Sequence, residues 1–211
     1  MKVLIIGSGS DLNSNLIKEN LEGVNSIICA DGGAKLLFKN EIIPNIIIGD
    51  LDSIDNELVD YYKYKEVSFK TFPRKKDKTD LELSIDYALS LGAKDITIIG
   101  ATGSRLDHTI ANVMLLYPIF KKGVAAKIVD NNNEILLVSK SAKITKTGNN
   151  YVSLIPLFKD AEGVTLKGFE YETKKLDFKF GSTFGISNKL KEKEGIIEIK
   201  SGICLLIKSR D

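Results

Sequence analysis

Apolar positions in the first two thirds of the chain come in short unbroken runs. VLII (3–6), SIICA (26–30), NIIIG (45–49), EVSF (66–69), DITIIG (95–100) and AAKIVD (125–130) each read as a strand buried on both faces. The segments between them have helical texture, clearest over 79–91 and 105–121. In TDLELSIDYALSL, Leu81, Ile85, Ala88 and Leu89 fall at i, i+4, i+7 and i+8, one face of a helix. Thr79 followed three residues later by Glu82 is a capping-box signature for its start. Strands separated by helices predict an α/β unit: a mostly parallel sheet with helices on both faces.

Past residue 133 the pattern becomes short alternating runs: NEILLVSK, AKITKTG, NYVSLIPLF, GVTLKGFEYE, KLDFKFG, GIIEIK and ICLLIKSR. Gly, Asn or Lys break them, and Ser201-Gly202 reads as a two-residue hairpin turn between the last two. This predicts an antiparallel β-sandwich or partial barrel. The chain therefore divides into an α/β domain, 1–133, and a β domain, 134–211, joined through Asn131-Asn132-Asn133.

The 211 residues are 43% hydrophobic and 27% charged, the balance of a soluble globular protein. No apolar run approaches the ~20 residues a bilayer needs, and VLII before Gly7 is too short for a secretory signal. Cys29 and Cys204 lie in apolar runs and read as buried free thiols, so a cytoplasmic location is expected. A net charge of +2 without a concentrated basic face argues against nucleic-acid binding. The charge divides as −2 over 1–133 and +4 over 134–211. That split suits a metal–phosphate ligand held between the parts, and solubility alone also produces it.

Ligands of open parallel sheets bind beyond the carboxyl ends of the strands. Read in order, those ends carry Asp31-Gly32-Gly33, Asp50-Leu51-Asp52-Ser53, Lys76-Asp77-Lys78-Thr79-Asp80 and ATGSRLDH (101–108). Each has a structural explanation alone. Asp31 could cap a helix, and Asp80 and Asp107 suit first helical turns. Asp50 and Asp52 are different: in an extended strand both point to one side, roughly 7 Å apart. Such a pair needs a positive partner, and a hard divalent cation, Mg²⁺, fits oxygen ligands completed by nucleotide phosphates. The turns at Gly32-Gly33 and after strand 95–100 offer backbone N–H groups for phosphate oxygens. GxxxxGK[ST] is absent, and Gly7-Ser8-Gly9-Ser10 lacks the third glycine of a dinucleotide fingerprint. The single histidine, His108, reads either as a base beside Asp107 or as a structural group at a helix start.

Taken together, ADGGA (30–34), PNIIIGDLDS (44–53), KDKTDLELSIDYA (76–88), GATGSRLDHTIAN (100–112), SLIPL (153–157), GVTLKGFEY (163–171) and ISN (186–188) resemble the thiamine pyrophosphokinase family of bacterial type. The resemblance implies an α/β ATP-binding catalytic domain, a β-sandwich that binds thiamine, and a homodimer with the active site at its interface. It implies pyrophosphoryl transfer from ATP to the hydroxyethyl group of thiamine, Mg²⁺-dependent, with AMP released. On this basis Asp50, Asp52 and Asp80 are expected to bind the metal and, with Arg105, to carry catalysis. Asp31, Gly32, Asp77, Thr79, Thr102, Ser104 and Asp107 are expected at the nucleotide, and Ser187 and Asn188 at thiamine. With no tryptophan in the chain, ring stacking falls to Phe, Tyr or aliphatic groups. Two other readings remain open: a different small alcohol as acceptor, or a regulator that binds a metal nucleotide without chemistry.

Overall fold

Six of the apolar runs form parallel strands. The computed structural model describes residues 1–9, 12–148 and 151–210; Ser10 and Asn150, which belong to two of the stretches above, lie outside them. By its contacts the chain divides into units 1–131 and 132–211. No helix among the described residues is long and apolar enough to cross a membrane.

In the first unit, β1 (Lys2–Ile6), β2 (Ser26–Ala30), β3 (Ile46–Gly49), β4 (Ser68–Thr71), β5 (Asp95–Ile99) and β6 (Ala125–Val129) pair in the order β4-β3-β2-β1-β5-β6, all parallel. The helices are α1 (Ser14–Glu19), α2 (Gly33–Lys39), α3 (Asn56–Tyr64), α4 (Asp80–Ser90), α5 (Leu106–Met114) and α6 (Leu116–Lys121). Side chains alternate between the two faces of the sheet. Leu4, Ile6, Cys29, Ile47 and Ile99 pack in one core cluster with Leu37 of α2 and with Leu58 and Tyr62 of α3. Their neighbours Ile5, Ile28, Ile48 and Ile98 point the other way and are equally buried. There α4 packs on β1, β2 and β3 through the predicted face, Leu81, Ile85 and Ala88 all being buried.

Three local expectations change. β4 starts two residues later than the run EVSF, because Glu66 turns at φ 58° and Val67 N–H still bonds Tyr62 O at 3.0 Å as the chain leaves α3. The helix expected over 105–121 is two helices meeting at Leu115. Pro118 has no N–H for the Met114 carbonyl and its ring crowds that oxygen, which ends the first helix there. Half of the capping box forms: Thr79 Oγ1 accepts from Glu82 N–H at 3.2 Å, while the Glu82 carboxylate turns to Lys78 at 3.3 Å.

Strand order reverses between β1 and β5, the switch point at which such sheets bind ligands. The two strand ends approach closely: Gly7 N–H donates to Ile99 O and Gly9 N–H to Gly100 O, both at 2.7 Å. A Cβ on Gly7 would lie 2.6 Å from the Gly100 carbonyl oxygen, and Gly100 itself stands at φ 73°. Gly7 and Gly9 thus serve strand approach, which explains them without a dinucleotide fingerprint.

The second unit is a sandwich of two antiparallel ladders built on one strand. These are β7 (Asn133–Val138), β8 (Ser141–Thr145), β9 (Tyr151–Lys167), β10 (Thr173–Phe178), β11 (Asn188–Lys189), β12 (Glu194–Glu198) and β13 (Ser201–Ser209). The sequence pattern predicts two runs where β9 is a single 17-residue strand. Its first half pairs with β13 and β11 and its second with β12 and β10, apart from one β13 pair past the bend, Ser201 opposite Glu162; Phe158 at φ 68° marks the bend. Leu154 and Val164 from the two halves share one core with Phe178, Ile197 and Leu206. Pro156 is tolerated in this central strand for a geometric reason. Leu154 N–H bonds Gly185 O at 2.8 Å, and residues two apart point their N–H groups the same way, so Pro156 lacks no ladder bond to β13.

Ser201-Gly202 is not a hairpin turn. β12 pairs with β8 and β9, whereas β13 pairs with β7 and β9, so the chain crosses between ladders at Gly202, φ 108°. Crossing lets the apolar faces of both runs, Ile197 and Ile199 on one side and Cys204 and Leu206 on the other, enter the same core.

The glycine approach yields a test. Gly7→Ala is expected to lose about 1–3 kcal/mol of stability in urea denaturation, because the added methyl meets backbone rather than a movable side chain.

Candidate active site

The acids come together at the carboxyl ends of β2 and β3. Carboxylate oxygens of Asp31, Asp50 and Asp52 all lie within 4.8 Å of one another. The chain is not extended there, and the separation is correspondingly shorter than an extended pair would give. After Gly49 it turns through Leu51 at φ 65°, and Asp52 N–H bonds Asp50 Oδ1 at 3.3 Å. Asp31 also sits at positive φ, 32°, anchored by its N–H to Ile48 O at 2.9 Å. It does not cap α2, whose N-cap is Gly32. Only 4% of Asp31 is exposed, and its Oδ1 has no hydrogen-bond partner in the protein.

Asp80, the first residue of α4, stands next to this trio. A Cβ on Gly49 would lie 2.7 Å from Asp31 Cβ and 3.2 Å from Asp80 Cγ, so the bare glycine lets both acids close in. Lys76 enters from the loop before α4. Its Nζ lies 2.8 Å from Asp80 Oδ1 and 3.5 Å from Asp50 Oδ2, and only 14% of its side chain is exposed. Asp80 Oδ1 is buried and lacks a properly directed hydrogen bond, so the ammonium compensates it by charge. At the rim, Arg74 reaches Asp52 at 3.3 Å with its side chain 84% exposed, and Ser53 Oγ donates to Asp52 Oδ1 at 3.2 Å.

The electrostatics follow from this geometry. Burial pushes the Asp31 pKa up, and Asp80, Asp50 and Asp52 add to the effect by repulsion, while the nearby Ser53 hydroxyl acts the other way. For Asp50, burial acts upward but is outweighed by the Asp52 backbone N–H and by Lys76, so its carboxyl is held below the usual range. Burial would lower Lys76, yet Asp80 and Asp50 overcome it and hold the ammonium charged.

A cavity of about 420 Å³ opens at the switch point, lined by Ser8, Gly9, the turn Gly100–Arg105, and His108. Asn112 Nδ2 holds this turn through Ala101 O at 2.7 Å, and Thr109 Oγ1 accepts from Gly103 N–H at 3.1 Å. Thr102 Oγ1 donates to Asp130 at 2.8 Å, so its hydroxyl is engaged in holding the turn. Arg105, the N-cap of α5, makes no side-chain cap bond and leaves the helix-end N–H groups unclaimed by its side chain. Its guanidinium forks onto Asp107, Nη2 to Oδ2 at 2.6 Å and Nε to Oδ1 at 3.2 Å. This exposed pairing holds the Asp107 carboxyl below its usual range.

In the second unit, Ser187 and Asn188 line a cavity of about 720 Å³ together with Tyr171, Phe178, Phe184 and Ile186. Asn188 makes three hydrogen bonds inside the unit: Oδ1 accepts from Tyr171 and Lys189 N–H at 3.0 and 2.9 Å, and Nδ2 donates to Tyr171 O at 2.8 Å. It shapes the cavity wall. Ser187, at φ 61°, is pinned by its N–H to Ser153 Oγ at 3.1 Å.

The acidic trio suits a hard divalent ion. All three donors are carboxylate oxygens, Asp31 has a buried oxygen without a partner, and an ammonium already stands beside the group.

Residues 17–128 match the family model "Thiamin pyrophosphokinase, catalytic domain", and residues 138–204 match "Thiamin pyrophosphokinase, vitamin B1 binding domain". The thiamine pyrophosphokinase of Bacillus subtilis is 34% identical over 186 residues, 87% of each chain. The chain belongs to the thiamine pyrophosphokinase family. The crystal structure of the Bacillus subtilis enzyme superposes with a TM-score of 0.92 at 32% identity, covering 100% of both chains. The Geobacillus thermodenitrificans thiamin pyrophosphokinase superposes at 0.88 and 31% identity, over 100% of this chain and 98% of that one. The α/β plus β-sandwich architecture is the one these family members share.

Of the residues expected at the site, Asp31, Asp50 and Asp52 form the tight group, and Asp80 stands one ammonium away rather than inside it. Thr102, Ser104 and Arg105 line the 420 Å³ cavity. Gly32 is the N-cap of α2 beside Asp31, while Asp77 and Thr79 are exposed at the entrance of α4. Sequence reasoning assigned no role to Lys76, Arg74 or Gly49. The signal for Lys76 was present: two acids demanding a cation, and a basic run, Arg74-Lys75-Lys76, ahead of the third.

Asp31 yields a pH prediction. Its folded pKa lies above the unfolded one, so ionisation costs stability once pH rises through the folded value, and the cost is absent below the ordinary aspartate pKa of about 3.9. Asp31→Asn is therefore expected to be more stable than wild type in urea at neutral pH, with the difference vanishing on acidification below that range.

Proposed function

We propose that this chain transfers a pyrophosphoryl group from ATP to the hydroxyethyl oxygen of thiamine, yielding thiamine diphosphate and AMP. The observation that carries this reading is the group of three carboxylates within 4.8 Å, beside a glycine-lined cavity at the switch point of the same sheet. Asp50 and Asp52 would hold Mg²⁺, with Asp31 and Asp80 completing the oxygen set; the ion would polarise phosphate oxygens and offset their charge.

The protein's own groups have simpler tasks. The turn 101–105 and the start of α5 present backbone N–H groups to the phosphates, and Arg105 offers a cation that Asp107 has already oriented. The thiamine oxygen bonds to the β-phosphorus, the bridge to the α-phosphate breaks, and its electron pair leaves on AMP. A carboxylate of the cluster takes the hydroxyl proton. Transfers of this kind need position and charge stabilisation more than covalent help.

Thiamine binding falls to the second unit, where Tyr171 and Phe184, 70% and 61% exposed, face a cavity wall built on Ser187 and Asn188. The same reading includes a homodimer with the active site at its interface and a cytoplasmic location. The exposed rings of Phe180, Phe184 and Tyr171 are surface that a second copy would cover.

Two measurements test it. Asp50→Asn and Asp52→Asn should each lower kcat at least ~100-fold while leaving the fold intact by circular dichroism. Wild-type turnover in both would remove the metal role, and ADP in place of AMP on ion-exchange analysis would make the protein an ordinary kinase. Phe184→Ala should raise the KM for thiamine several-fold, about 1 kcal/mol of lost ring contact, with the KM for ATP unmoved.

A further inference from the structure

The ammonium of Lys76 occupies an unusual place. It reaches two carboxylates of different elements, Asp50 after β3 at 3.5 Å and Asp80 of α4 at 2.8 Å. Both Lys76 and Asp50 are only 14% exposed. Asp50 is at the same time one of the three acids whose oxygens lie within 4.8 Å. Arg74 cannot serve the same purpose: its contact to Asp52 is at the rim and 84% exposed, where ion pairing is weak.

A lysine so placed stabilises the acid cluster in the free protein and opposes a second cation. A divalent ion on Asp50 and Asp52 would meet the positive charge of Lys76 across one carboxylate. The lysine tail is long and flexible, with three rotatable donors, and a triphosphate beside the ion offers it new anionic partners. We propose that Lys76 is a positioning residue that acts as a built-in substitute for the divalent ion. It pairs with Asp50 and Asp80 in the empty enzyme, competes with the metal for that charge, and passes to the nucleotide phosphates when metal and nucleotide bind together. Metal entry is then coupled to nucleotide entry, because only the nucleotide gives the displaced ammonium a new partner. This inference rests on the metal-nucleotide reading above.

The competition has a sign that a merely structural salt bridge does not share. If Lys76 only anchored its loop, removing it would splay the acids and weaken metal binding. If it competes, removing it strengthens metal binding and weakens nucleotide binding. The probe is Mn²⁺ titrated without nucleotide and followed by electron paramagnetic resonance, on the full-length chain as wild type, Lys76→Met, Lys76→Gln and Lys76→Arg. At these separations, repulsion between a unit charge and a divalent ion corresponds to roughly tenfold in affinity even with water-like screening. Lys76→Met and Lys76→Gln should bind Mn²⁺ at least that much tighter, and Lys76→Arg should stay near wild type. A non-hydrolysable ATP analogue with Mg²⁺, measured by calorimetry, should bind the two neutral variants several-fold more weakly. Unchanged or weaker Mn²⁺ binding in both neutral variants overturns the inference while leaving the proposed function standing. Absence of any Mn²⁺ binding to wild type and all variants overturns the metal-nucleotide reading and the inference with it.

Discussion

Like charges held together against their repulsion set the terms for everything else at the carboxyl edge of the first unit. Asp31, Asp50 and Asp52 meet within 4.8 Å, and Asp80 stands against Asp31 across the bare Cα of Gly49. Isolated, such a group would disperse or protonate. Backbone restraint keeps it in place: Asp31 and Leu51 are both driven to positive φ, and N–H groups tie Asp31 to β3 and Asp52 to Asp50. Strained non-glycine conformations of this kind cluster where a protein has a use for them. The buried, unpartnered oxygen of Asp31 points to the same conclusion, since an orphaned acceptor normally finds a partner in the protein.

The parallel sheet makes the arrangement possible. Every one of its strands runs the same way, so every carboxyl end lies on one edge and residues distant in sequence become neighbours there. The reversal of order at β1 and β5 opens a crevice, and Gly7, Gly9 and Gly100 let the flanking backbones close to 2.7 Å at its foot. Acid cluster and glycine cavity are thus two products of one topology, which is why a metal and a phosphate chain are natural joint occupants.

Much of this was legible in the sequence, for identifiable reasons. Continuous Ile/Val/Leu runs mark strands buried on both faces, and the start of α4 was announced by Thr79 and its apolar stripe. The acids could be placed at strand ends by counting alone. The break at Leu115 was not read, because Pro118 acts on the carbonyl of Met114, outside the apolar periodicity. The merging of two runs into β9 was hidden because alternation carries no information on pairing partners, and for the same reason Ser201-Gly202 passed for a hairpin. The Asp50–Asp52 separation was overestimated because extended geometry ignores the turn that Leu51 makes. Lys76 went unassigned because, although Asp80 is only four residues on, its second partner Asp50 lies 26 residues away in sequence and meets it through the fold.

The single strand common to both ladders of the second unit has a consequence for how that unit comes apart. β9 gives its first half to one sheet and its second to the other, so neither layer owns a complete set of hydrogen bonds without it. Partial melting of one layer would strip the other of its central member. The unit is therefore built to unfold all at once, with hydrogen-exchange protection rising and falling together on both sides of the bend at Phe158.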